Sequence, residues 1–151
     1  MKVYLDVCCL NRLFDDQEQG RVAIEAAAVV KILRMIDTGR LTDYSSEMAT
    51  VEIERIRDAD RRRKVTSLMP PSERIMPLSE GLLDAGEKLV EEGFPLADAV
   101  HLAAAGELRV DVFLTVDDKL LRRAARIGGR LGCRVLNPVS FLEEVAHADE
   151  R

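Results

Sequence analysis

Residues 110–121 read VDVFLTVDDKLL, an apolar run that turns at once into a helix start. Val110 to Thr115 has the β-branched and aromatic character of a strand buried on both faces. Asp117 or Asp118 can cap the helix that follows, which runs to about Ile127 and ends at Gly128-Gly129. A strand passing straight into a helix is half of a βαβ unit, and the neighbouring segments repeat the pattern. On the carboxyl side, Cys133 to Leu136 is a short strand, and Asn137-Pro138 starts a helix carrying Val139, Leu142 and Val145. On the amino side, Pro95 opens an Ala-rich helix over Leu96 to Leu108, and Ser79 caps one that reaches about Glu92 before Gly93. Arg74 to Met76 is a brief strand.

The first half of the chain continues the alternation. Lys2 to Val7 is a strand, and residues 8–20 read as a loop or short turn. Val22, Ala26, Val29, Val30, Leu33 and Ile36 form a helical apolar stripe that Gly39 stops. Leu41 to Ser45 is a second strand. Ser45 or Ser46 caps a helix through about Arg55, and a basic helix ends before Pro70-Pro71. Alternating strands and helices predict an α/β fold with a central parallel sheet of about five short strands between helix layers. No repeat or long linker interrupts it. The expected organisation is one domain over residues 1–147 and a polar tail at 148–151.

A chain of 151 residues suits a single core. With no Trp, two Tyr and four Phe, that core must be aliphatic, and base-stacking modules of the RRM or OB type lose support. The net charge of −5 argues against a protein that simply coats nucleic acid, but it suits a carboxylate site that carries negative charge until a cation enters. Cys8, Cys9 and Cys133 form no spaced disulfide framework, so the expectation is a reduced, cytoplasmic chain. The apolar run at the N-terminus is too short for a signal peptide, and no stretch approaches the roughly 20 apolar residues of a membrane span.

In parallel α/β sheets, sites form beyond the carboxyl ends of strands. Asp6 lies in VYLDVCC and Asp117 one residue beyond VFLT, both at such ends; each also reads as a cap or turn residue. Asp98, in FPLADAVHLAAA, stands in the first turn of a helix, where the macrodipole alone favours an acid. Glu52, in SSEMATVEIER, reads alone as a solvated helix face, with Glu47 as a rival placement. Four crowded carboxylates repel, at about 4 kcal/mol per pair at close range in a medium of intermediate dielectric. They are tenable around a hard divalent cation, and oxygen donors select Mg²⁺ or Mn²⁺ over zinc. Phosphodiester hydrolysis by a metal-activated water is the chemistry that follows.

At these four motifs the sequence resembles the PIN domain, in particular toxin-like PIN proteins of the prokaryotic VapC type. YLDVCCLNR is similar to the family's first-strand Asp segment, SSEMATVEIER to its Glu segment, LADAVHLAAA to its Asp-Ala helix start and FLTVDDKLL to its Thr-x-Asp strand end. The four stand in family order across residues 4–121. The resemblance implies an α/β/α sandwich and a Mg²⁺- or Mn²⁺-dependent endoribonuclease. Asp6, Glu52, Asp98 and Asp117 are its implied catalytic and metal-binding residues. Thr115 orients a carboxylate or water, and Asn11 positions Asp6 or the substrate. Asp118 is an extra acid without an assigned role. The family also implies an antitoxin partner and a homodimer. The alternative is a catalytically silent PIN-like module that binds RNA or protein.

Other constellations compete less well. His101 follows Asp98 by one helical turn and can share its face, either supporting the site or serving as a structural histidine. The cysteines and histidines lack the paired spacing of a zinc site. Arg61, Arg62, Arg63 and Lys64 read as a solvated face, or as a contact for RNA or an acidic partner segment. No P-loop or serine-nucleophile motif occurs. A phosphatase with Asp6 as nucleophile would want a second Asp two residues on, where Cys8 stands.

Overall fold

Buried strands come first in this fold, because their side chains dictate where the helices go. In the computed structural model, which describes residues 1–150, five strands form one parallel sheet: β1 (Lys2–Leu5), β2 (Thr42–Ser46), β3 (Ile75–Met76), β4 (Val112–Leu114) and β5 (Arg134–Leu136). Their spatial order is β3-β2-β1-β4-β5. Successive side chains leave a strand on opposite faces. Val3 and Leu5 of β1 and Val112 and Leu114 of β4 enter one core, while Tyr4 and Phe113 enter the other. Each face is therefore greasy and needs a helix layer, as parallel sheets do.

The first layer holds α1 (Val7–Asn11), α2 (Gly20–Asp37), α3 (Glu47–Glu54), α4 (Ala59–Ser67) and, returning at the end of the chain, α8 (Pro138–Asp149). The second holds α5 (Glu80–Glu91), α6 (Leu96–Glu107) and α7 (Asp118–Ile127). The result is the three-layer α/β/α sandwich the sequence implies. Gly39 does end α2, with φ +81 in the left-handed region that suits glycine. Gly86 serves closeness instead: a Cβ there would lie 3.0 Å from Cγ2 of Val100, so its absence lets α5 and α6 pack tightly.

Two local readings change. Residues 8–20 are not a plain loop, because α1 starts directly after β1 and a 3-10 turn covers Arg12–Phe14. Cys9 and Leu10 are buried, so this short helix is held by the core. Asp6 lies one residue past its strand, not inside it. Helix α8 runs through Ala148 and Asp149 of the expected tail, and Arg151 lies outside the described residues.

Candidate metal centre

The strand order reverses at β1, whose neighbours are β2 and β4. A crevice beyond the strand ends at such a point is the usual place for a site in this architecture. The register aligns Leu5 with Leu114, so the residues that leave the two strands stand side by side. The Asp6 amide donates to the Leu114 carbonyl at 2.9 Å, which holds Asp6 at the strand end.

Thr115 joins the two strand-end acids. Its hydroxyl donates to Asp6 Oδ2 at 2.8 Å and accepts from the Asp117 amide at 3.1 Å. Cys8 Sγ donates to the same Asp6 oxygen at 3.2 Å. Asp6 occupies the N-cap position of α1 but makes no side-chain cap bond there. Asp117 does cap: its Oδ1 accepts from the Lys119 and Leu120 amides at 2.9 and 3.3 Å. Asp118 turns away to an ion pair with Arg21.

Glu52 approaches from α3 and His101 from α6. His101 is 1% exposed, and its Nε2 is hydrogen-bonded to Glu52 Oε1. Its Nδ1 bonds the Tyr4 hydroxyl at 2.6 Å, which in turn bonds Ser46 Oγ at 2.7 Å. A buried chain Ser46–Tyr4–His101–Glu52 thus links β2, β1, α6 and α3. Glu47, the rival acid, instead accepts from the Leu78 amide at 2.9 Å. Ligand atoms of Asp6, Glu52 and His101 all lie within 4.8 Å of one another.

The electrostatics follow from the crowding. Burial pushes the Asp6 carboxyl up, against the lowering influence of His101 and the Thr115 bond. Asp98, in the first turn of α6, is pushed up to about 6 by burial and by the charges of Asp6, Asp117 and Glu52. For His101, burial alone would lower the pKa, but the Glu52 bond and the neighbouring carboxylates outweigh it and raise the value. Burial likewise raises Tyr4, keeping its hydroxyl protonated. Among the described residues, no Lys or Arg pairs with Asp6, Glu52, Asp98 or Asp117; His101 is the one basic partner. The converging donors Asp6, Glu52 and His101 fit a divalent cation; the carboxylates of Asp98 and Asp117 stand near enough to add negative charge without joining that close group.

The remaining expected residues fall elsewhere. Asn11 ends α1, and its Oδ1 is buried without a partner among the described residues. The basic run on α4 is engaged locally. Arg61 bonds Asp15 and the Phe14 carbonyl, Arg62 the Ile56 carbonyl, and Arg63 and Lys64 pair with Asp60. Tyr4 and Ser46 escaped sequence reasoning because a tyrosine in an apolar strand and a serine at its neighbour's end read as core and cap. Arg21 and Glu25 escaped it too, although Glu25 falls beside Val22, Ala26 and Val29 on the helical stripe, which was a usable signal.

No family model matches the chain, and no curated protein matches it. Solved structures do. FitAcB from Neisseria gonorrhoeae aligns with a TM-score of 0.57 at 17% identity, covering 90% of this chain and 97% of that one. VapBC2 from Rickettsia felis, bound to a DNA fragment from its promoter, aligns with a TM-score of 0.57 at 12% identity, covering 91% and 98%. With a parallel sheet order of β3-β2-β1-β4-β5 and acids gathered beyond β1 and β4, the fold of this chain is PIN-like.

Proposed function

We propose that this chain is a metal-dependent endoribonuclease and the toxin of a toxin–antitoxin pair. The observation that carries the chemistry is the convergence of Asp6, Glu52 and His101 within 4.8 Å, beside an Asp98 carboxyl held near 6 by its neighbours. The pairing with an antitoxin rests on the fold likeness to FitAcB and VapBC2, and RNA as substrate rests on the motif resemblance.

Asp6, Glu52, Asp98 and Asp117 would hold Mg²⁺ or Mn²⁺. Such an ion would supply a water of lowered pKa and offset the negative charge that develops on the phosphate oxygens. The chain's own groups do the rest. Thr115 and Cys8 hold one oxygen of Asp6 and leave the other to the site. His101, backed by Tyr4, fixes the orientation of Glu52 and can carry a proton beside it. Asp117 spends Oδ1 on capping α7 and keeps Oδ2 for the site.

The test is cleavage of a labelled RNA with Mn²⁺, with EDTA, and with Asp6→Asn. Cleavage that needs Mn²⁺ and vanishes in Asp6→Asn is expected. Metal-independent cleavage, or full activity in the variant, would refute the proposal.

A further inference from the structure

Arg21, near the start of α2, grips the chain on both sides of Asp117. Its Nη1 and Nη2 donate to the two carboxylate oxygens of Asp118 at 2.7 Å each, the fork-on-fork geometry that favours Arg over Lys. The same Nη2 lies 3.4 Å from the Val116 carbonyl. Asp117 is bracketed between these two contacts.

An exposed ion pair of this kind is usually worth little, because both side chains lose freedom and salt screens them. Arg21 is different because its other side is anchored. Glu25, 3% exposed and one helical turn on, receives Arg21 Nε at 3.4 Å. Glu25 also receives Arg12 Nε at 2.9 Å and Asn137 Nδ2 at 2.6 Å. Asn137 caps α8 through its Oδ1, and Arg12 follows α1. One buried carboxylate therefore ties α2 to the segments that follow β1, β4 and β5. The site acids Asp6 and Asp117 sit on two of those three segments.

We infer that Arg21, braced by Glu25, is a positioning residue that sets the Asp117 carboxylate, and that Asp118 is its handle and not a metal ligand. The metal side of this inference rests on the reading of the site proposed above; the structural side does not. The guanidinium acts through shape more than charge, since it must reach Asp118, Val116 and Glu25 together. Lysine, with a single ammonium head, cannot span the three.

Two measurements on the full chain test it. In EDTA, amide hydrogen exchange is followed at Lys119 and Leu120, whose N–H groups report the Asp117 cap. The amides of Asp6 and Thr115, bonded to neighbouring strands just past the ends of β1 and β4, serve as reference. Mn²⁺ affinity is then measured by calorimetry. Arg21→Ala and Arg21→Lys should both speed exchange at 119 and 120 without altering the reference amides, and both should weaken Mn²⁺ binding about tenfold or more, the usual effect of losing a group that orients a ligand. Arg130→Ala, which breaks the exposed pair with Glu92, should change neither. Unchanged exchange in Arg21→Ala, or restoration of exchange and affinity by Arg21→Lys, would overturn the inference. If the wild type takes up no Mn²⁺, the metal reading falls and the exchange rates alone decide whether the clamp exists.

Discussion

Replacing Asp98 by Asn should make the metal-free protein more stable and the metal-treated protein less so. The carboxyl rises from its ordinary 3.8 to about 6, a penalty of about 3 kcal/mol on the ionised form. The side chain is only half-buried, and screening cuts this to roughly 1.5 kcal/mol. Asn also gives up the favourable charge at the start of α6, worth about 0.5 kcal/mol. The net gain is about 1 kcal/mol, or a rise in melting temperature of roughly 2–4 °C for a domain of this size. Because the folded-state pKa is raised, the folded protein binds the proton more tightly than the unfolded one. The wild type's deficit is therefore absent well below pH 4, grows as pH climbs towards 6, and is constant above. With Mn²⁺ at about 100 times its dissociation constant, the wild type gains about 2.7 kcal/mol that the variant forgoes, so the order of stability reverses. Urea unfolding of both proteins, at pH 5 and 7.5, with EDTA and with Mn²⁺, reads all four corners. A variant less stable than wild type in EDTA at pH 7.5 would refute the crowding argument.

Other perturbations test other parts of the structure. Tyr4→Phe strands His101 Nδ1 and Ser46 Oγ in a buried place, so it should cost about 1–3 kcal/mol by urea unfolding and weaken Mn²⁺ binding through a less ordered Glu52; unaltered affinity would separate Tyr4 from the site. Gly86→Ala drives a methyl to 3.0 Å from Val100; overpacking of about 1–3 kcal/mol outweighs the roughly 1 kcal/mol that Ala gains over Gly in a helix, so the denaturation midpoint should fall, and a raised midpoint would mean that α5 and α6 can part easily. Mn²⁺ affinity should fall steeply as pH drops through about 6, where Asp98 takes up a proton; a flat calorimetric profile from pH 5 to 8 would count against Asp98 as a ligand.

Much of the fold could be read in the sequence because its strands are buried on both faces and so appear as unbroken apolar runs, as in VDVFLT. Helix α1 could not be: five residues do not span enough turns to display a period, and its Cys-Cys-Leu run is equally at home in a loop. For the site, strand-end position singled out Asp6 and Asp117 in advance. Glu52 and Glu47 share a helix on opposite sides, and only the packing of α3 against α6 makes His101 the neighbour of one and the Leu78 amide the neighbour of the other. Glu25 is marked in the sequence only by its place on the apolar stripe of α2, and what makes its burial tolerable, partners far away in sequence, shows only in the folded chain.

The pairing of β1 with β4 also has a timetable. Thr115 and Asp6 touch across 109 residues of chain, and Asp117 follows later still. At ordinary rates of synthesis the first acid waits on the order of 5–20 s on the ribosome for the strand that completes its surroundings. During that interval the nascent chain holds no assembled centre, however well its early segments have folded. RNA cleavage of the kind proposed above would therefore begin only after synthesis has supplied both strands.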